Sequence, residues 1–296
     1  MTEAATDSIV TREDGVLVGP IRHSVNTSAA ARGSIHDDAT ATRLGLRGGT
    51  VAGSIHMDLF PPLFVKAFGE RWFERGSLSL YFVNATVDRE PVRAFLGPVA
   101  AGAGDVQVAA WIEREDGMRV AEGTASAGDP PEQSALRARP LDRFESGELR
   151  ILADVKPGDP IEETPVSYSA EQQANRLEVV TERMGVYEDP SRFGGRVVTP
   201  AGMVNLLYAQ PVATLRKKIG SAVGLFGAIE IRNVNGPALV DTPYRVRGNI
   251  VAVGQSPRTE YFWFDTEMDD MEGRRIAEMR MLLRFMKASS ELYKEG

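Results

Sequence analysis

The sequence predicts an α+β protein in which one plan, an apolar helix followed by an antiparallel meander, is written twice. Three observations carry that prediction. Residues 35–68 pass from a polar Ile35-His36-Asp37-Asp38 segment, through a glycine-rich loop at residues 47–49, into an apolar stretch opening at Gly53 that has helix length. Residues 187–219 repeat the order with an acidic pair, Gly194-Gly195, a helix-opening Gly202 and a second apolar stretch; Gly53 and Gly202 stand 149 residues apart, as do Pro62 and Pro211. A proline inside a helix costs about 3 kcal/mol, so its recurrence at one offset argues for duplication. The third observation is a pair of matching turns. The phrase DGMRVAEG at residues 116–123 is echoed by EGRRIAEM at residues 272–279, each with a turn signal at its head.

Taken in order, residues 1–14 are polar and acidic, with too few apolar side chains to pack, and read as a frayed arm. Residues 16–25 suit a first strand. The loop that follows contains Gly48 and Gly49, which reach backbone conformations denied to other residues, so it should have a fixed shape. From Gly53 the spacing of Ile55, Leu59, Leu63 and Val65 suits a buried helix that Pro61-Pro62 bends or interrupts, ending near Gly69. Strands are expected at residues 77–87, 92–96, 107–114 and 118–127, and in the second copy at 227–234, 243–253, 260–268 and 275–285. At the turns the offset between the copies is 156 rather than 149, so the second copy carries small loop insertions. Five prolines among charges at residues 129–160 read as a linker crossing the surface, and the polar tail after Lys287 should fray. The expected plan is therefore an arm at 1–14, an N-terminal unit at 15–128, a linker at 129–160 and a C-terminal unit at 161–296. The two sheets should join edge to edge, because joining pairs strands that would otherwise be exposed.

Composition narrows the function. A chain of 296 residues with 43% hydrophobic content can bury two modest cores. With no cysteine and three histidines, disulfides and thiolate metal sites are excluded, and neither a metal nor a cofactor is expected. The net charge of −7 leaves no basic surplus to neutralise phosphates, which argues against nucleic acid and anionic membrane as partners. The start has no apolar signal core, and no run reaches the ~18 uncharged apolar residues of a membrane span. A cytoplasmic protein with a small-molecule partner is expected, with homodimerisation left open.

One helix followed by a meander, given twice, looks like the double hot-dog fold, in which each sheet wraps its own central helix. The phrase IHDDATATRLGLRGGTVAGSIHMDLF at residues 35–60 resembles the hydratase motif of the MaoC-like family, the (R)-specific enoyl-thioester hydratases and related dehydratases. That motif runs Asp-x-Asn-Pro-Ile/Leu-His and then, after a spacer, reaches a His-Gly that opens the helix. His36 matches the histidine and Gly53 the helix-opening glycine; Ala52 stands where the second histidine often is, Ala31 in the aspartate place and Gly33 in the asparagine place. In the second copy Tyr187 stands in the histidine place and Glu182 in the aspartate place. The resemblance implies that an Asp/His pair activates a water that adds to an enoyl thioester, while a backbone N–H at the helix start holds the carbonyl oxygen.

The chemistry explains these residue types. Histidine exchanges protons with water near neutral pH, and an N–H at a positive helix end stabilises an enolate oxygen. The pocket is therefore expected between the two units, beside His36 and the helix opening at Gly53, where the missing side chain lets substrate approach the backbone. His56, three residues further on, could face the same cavity or be a satisfied core histidine. Glu182 is the first candidate for the missing carboxylate and Tyr187 for a donor; the alternative is a surface glutamate on a helix and a packing tyrosine. Arg47 is a candidate partner for a phosphate or carboxylate, as are Arg216, Lys217 and Lys218, whereas His23 reads as structural. The leading function is a hydratase/dehydratase-type lyase acting on a small apolar unsaturated or β-hydroxy carbonyl compound, with a coenzyme A thioester among the candidates. The alternatives are an isomerase, cyclase or hydratase of a free, non-thioester substrate in the same pocket, and a non-catalytic binding protein or inactive partner subunit.

Overall fold

The computed structural model describes residues 6–100, 102, 104–141 and 147–294. Its centre is a single twelve-stranded antiparallel sheet. In chain order the strands are β1 (Val10–Thr11), β2 (Leu17–Val18), β3 (Arg22–His23), β4 (Gly76–Phe82), β5 (Pro91–Leu96), β6 (Val106–Arg114), β7 (Arg119–Ala127), β8 (Pro160–Val166), β9 (Gly224–Asn233), β10 (Tyr244–Gln255), β11 (Thr259–Asp269) and β12 (Arg275–Met286). Across the sheet they run β1-β2-β5-β6-β7-β4-β9-β12-β11-β10-β8, with β3 also on β5. Each half therefore repeats the other about a seam between β4 and β9, where Ser77 lies opposite Arg232 and Tyr81 opposite Ala228. The seam removes two edges that would otherwise be open to other chains.

Seven α-helices accompany the sheet among the described residues: α1 (Asp38–Arg43), α2 (Gly53–Met57), α3 (Pro61–Phe68), α4 (Arg71–Glu74), α5 (Ala170–Leu177), α6 (Gly185–Glu188) and α7 (Pro200–Ala213). The matched prolines have different outcomes. In the first unit the central helix is broken into α2 and α3, and Pro61-Pro62 open α3, where a missing N–H removes no helix bond. In the second unit α7 runs through Pro211 and ends two residues later, so this proline falls in the last turn rather than forcing a break. The helix expected to reach residue 219 stops at Ala213, followed by a short 3-10 turn at Arg216–Lys218.

One hydrophobic cluster spans both units. Leu78, Leu80, Leu96 and Ile112 on the first half-sheet meet Met57, Phe60, Leu63 and Phe64, while Ile229, Ile231, Phe262, Phe264 and Met279 meet Met203, Leu206 and Leu207. Fully burying one such side chain contributes about 1.5–3 kcal/mol, so this shared layer is what makes the two copies one body.

Three segments are better ordered than their composition suggested. In the supposed arm, Ile9 is buried, its carbonyl accepts a bond from Lys66 Nζ at 2.8 Å, and Val10–Thr11 pair with Leu17–Val18; residues 1–5 lie outside the described residues. In the supposed linker, Leu136 packs with Ala228, Trp263 and Leu282, while Ile151, Leu152 and Val155 enter the main core. There the Glu260 carboxylate accepts the backbone N–H groups of Arg150, Ile151 and Leu152. The tail also returns, with Ser290 buried and the Tyr293 hydroxyl donating to Glu260. Among the described residues no helix is long and apolar enough to cross a membrane.

Candidate active site

The loop bearing His36 is held by its own sequence. Asp37 caps α1, accepting from Ala39 N and from the Thr40 hydroxyl at 2.7 Å. Asp38 accepts from Gly49 N at 2.6 Å, Thr50 N donates to Ile35 O at 2.8 Å, and the Asn26 amide donates to His36 O at 2.8 Å. Gly49 lies so close to this turn that a Cβ there would stand 2.3 Å from His36 O, an approach that only glycine permits. The expectation of a fixed loop shape thus has a geometric cause.

This loop fixes the His36 imidazole. Nδ1 lies 2.7 Å from Thr50 O. A carbonyl oxygen only accepts, so Nδ1 carries a proton, and in the neutral ring Nε2 carries the lone pair. The ring lines a cavity of about 240 Å³ together with Thr50, Val51, Gly53, His56, Phe82, Asn84 and Thr86 from the first unit, and Gly224, Leu225 and Phe226 from β9 of the second. The cavity therefore opens between the units and beside the first turn of α2, whose leading N–H groups have no partner within the helix. No charged side chain is among the described residues that line it.

His56 also borders the cavity, but as a buried group. It is 2% exposed, Nε2 lies 2.6 Å from the Thr86 hydroxyl, and Nδ1 has no partner among the described residues. Burial pushes its pKa down to about 4. A folded-state pKa below the unfolded value means that the unfolded chain binds the extra proton first, so stability from neutral His56 is complete above about pH 6.5 and is lost as pH falls toward 4. The loss amounts to about 3 kcal/mol. Thermal unfolding between pH 4 and 7 should show this slope in the wild type and a shallower one in His56→Gln; parallel curves would refute the assignment.

The remaining candidates lie elsewhere. Glu182 is not in the cavity: its carboxylate takes a bidentate bond from Arg22, at 2.5 and 3.1 Å, and is 4% exposed. Tyr187 is a core residue, 1% exposed, whose hydroxyl has no partner among the described residues, and burial pushes its phenol well above the usual range. Arg47 is bonded to Glu90, at 2.8 and 2.7 Å, and to Ala85 O, and is not among the described residues lining this cavity. At Gly53 the space a side chain would take is filled by the Phe82 ring, 2.5 Å from the position of a Cβ, and is not left for substrate. His23 is exposed, with Nδ1 2.9 Å from Arg89 O, in keeping with its structural reading.

The second unit's helix opening is closed from within. Thr199 caps α7 on Gly202 N, and the Asp58 carboxylate, reaching over from the end of α2, accepts from Ala201 N at 2.8 Å. The same carboxylate holds Arg176 at 2.6 and 2.7 Å, while Tyr168 and Val198 fill the space over Gly202. Burial pushes the Asp58 carboxyl up, against the pull of Arg176 and Ala201 N–H. Sequence reasoning passed over Asp58, Arg176, Phe82 and Thr86. The available signal was a lone aspartate inside the apolar run SIHMDLF, since a buried charge needs a partner.

A continuous sheet of two matched halves, each folded around a central helical segment, defines the double hot-dog fold. Solved structures share it over nearly the whole chain. A protein of Chloroflexus aurantiacus described as a MaoC domain dehydratase superposes with a TM-score of 0.64 at 13% identity, covering 93% of this chain and 95% of that one. A Mycobacterium tuberculosis protein described as having a double hot-dog fold gives 0.60 at 12% identity, covering 95% and 98%. A MaoC-like dehydratase gives 0.54 at 16% identity, covering 96% and 100%. No family model and no curated protein matches the sequence. What these structures have in common with the chain is its fold.

Proposed function

We propose that the chain is a hydratase/dehydratase-type lyase acting on a small, largely apolar α,β-unsaturated or β-hydroxy carbonyl compound. The observation that carries this reading is the His36 imidazole, locked through Nδ1 on Thr50 O beside an uncharged cavity at the opening of α2. In hydration, Nε2 takes a proton from water as the water oxygen bonds to Cβ of the substrate. The π electrons move onto the carbonyl oxygen, where the first N–H groups of α2 meet the growing charge. The imidazolium then returns its proton to Cα, so one residue borrows and restores it, and dehydration runs the steps in reverse. The fold's occurrence in proteins described as dehydratases supports the reading.

A second reading, a binding protein without turnover, is favoured by one observation: no carboxylate is among the described lining residues to assist His36. Water addition and loss should be followed on a panel of enoyl thioesters and free enones. Turnover by the wild type is the expected result. Tight binding of these compounds with no turnover would overturn the lyase and leave the binding protein.

A further inference from the structure

A second cavity, of about 290 Å³, lies at the C-terminal end of α7 and is bordered by Tyr208, Val212, Arg216, Ile219, Ser221 and Leu283. It adjoins the first through a single layer of side chains. Phe226 lines the His36 cavity, and Tyr208 packs edge-on against it with ring centroids 5.1 Å apart. Leu283, which borders the second cavity, is the cross-strand neighbour of Phe226 in the β9–β12 ladder.

The two cavities differ in chemistry. The first has no charged lining residue, whereas the second has an exposed guanidinium that no carboxylate engages among the described residues. Arg216 is the one cation among the described residues bordering the cavity; Lys217 and Lys218 are not among them, and Lys218 is tied to Asp159 at 3.0 Å. Burial pushes the Tyr208 phenol up, and the nearby Arg216 charge pulls it back, so the two groups act on one region. A planar guanidinium, a phenol hydroxyl and the Ser221 hydroxyl together offer donors to an anionic oxygen. No acidic side chain is among the described residues bordering this cavity to compete for them.

We propose that this cavity is an anion subsite, taking a carboxylate or phosphate carried by the substrate at a distance from the carbon that reacts beside His36. The subsite rests on the lyase reading for its substrate, with the Phe226–Tyr208 ring pair as the partition that the chain of the substrate passes. Two sources supply the same chemistry: the carboxylate of a free acid, and the phosphates of a carrier thioester.

The experiment compares wild type with Arg216→Gln and Arg216→Lys on matched substrates. One pair is crotonyl-coenzyme A against the crotonyl thioester of N-acetylcysteamine, and the other a free enone acid against its methyl ester. Removing a hydrogen bond to a charged group is worth about 10- to 100-fold. In Arg216→Gln the kcat/KM preference for the charged member of one pair should fall by that factor, with Arg216→Lys intermediate; the pair affected identifies the source. An unchanged preference in both pairs would overturn the subsite. If the wild type turns over none of these, the lyase reading fails, and calorimetry with coenzyme A and with glutarate decides the subsite separately. Binding lost in Arg216→Gln supports it, and binding that is equal in both proteins or absent from the wild type refutes it.

Discussion

His36→Ala is expected to lower turnover by about 10²- to 10⁴-fold, the range for loss of a general acid or base, while the melting temperature stays close to that of the wild type. The size follows from the cavity's composition. With no carboxylate among the described lining residues, the proposed lyase reaction would place both proton transfers on one imidazole. The small effect on stability follows from position: the ring is half-buried in a loop whose main anchors, Asp38 on Gly49 N, Thr50 N on Ile35 O and Asn26 on His36 O, do not involve the imidazole. His23→Ala serves as the control, since its side chain reaches Arg89 O on the outside and does not line the cavity. Steady-state kinetics on an enoyl thioester, with thermal melts of all three proteins, test both parts. Full activity in His36→Ala would exclude this histidine as the proton carrier.

Much of the fold was legible because local chemistry and the tertiary plan agree. The Asp116-Gly117 and Glu272-Gly273 turns sit between β6 and β7 and between β11 and β12, and the β-branched and aromatic runs became strands within a few residues of where the pattern put them. His36 and Gly53 were readable as neighbours because the motif names both, and the segment joining them folds back on itself through Thr50 N on Ile35 O and Gly49 N on Asp38. Glu182 was not, since counting five residues back from Tyr187 assumes that the second copy keeps the first copy's loop. Instead the segment from α5 to α6 carries its own capping box at Ser169 and Gln172, and directs Glu182 to Arg22, 160 residues away. The polar ends misled for a related reason. Composition averages over a segment, whereas ordering depends on single anchors such as Ile9 and Tyr293.

Asp58→Leu is expected to destabilise the fold by about 3–5 kcal/mol, the range for removing one partner of a buried ion pair. Leucine is an apt probe because Leu207 stands at the same 149-residue offset in the second copy and is fully buried there. The substitution leaves Arg176, whose side chain is 10% exposed, with a charge that water barely reaches, and it removes the acceptor for Ala201 N in the first turn of α7. The double variant Asp58→Leu/Arg176→Met removes both charges. A buried pair replaced by apolar groups of similar volume is often neutral in stability, so the double variant should recover most of the loss, short of the term for the unmet Ala201 N–H. Denaturant unfolding of the wild type, both single variants and the double variant gives the coupling as a double-mutant cycle. Additive single losses would mean that the ion pair is incidental, and that the second unit's helix opening is kept closed by Tyr168 and Val198 packed over Gly202. A large coupling would mean that the closed opening depends on a carboxylate lent by the other copy. In that case only the first copy's helix start borders a cavity because that copy supplies the group that seals the start of α7.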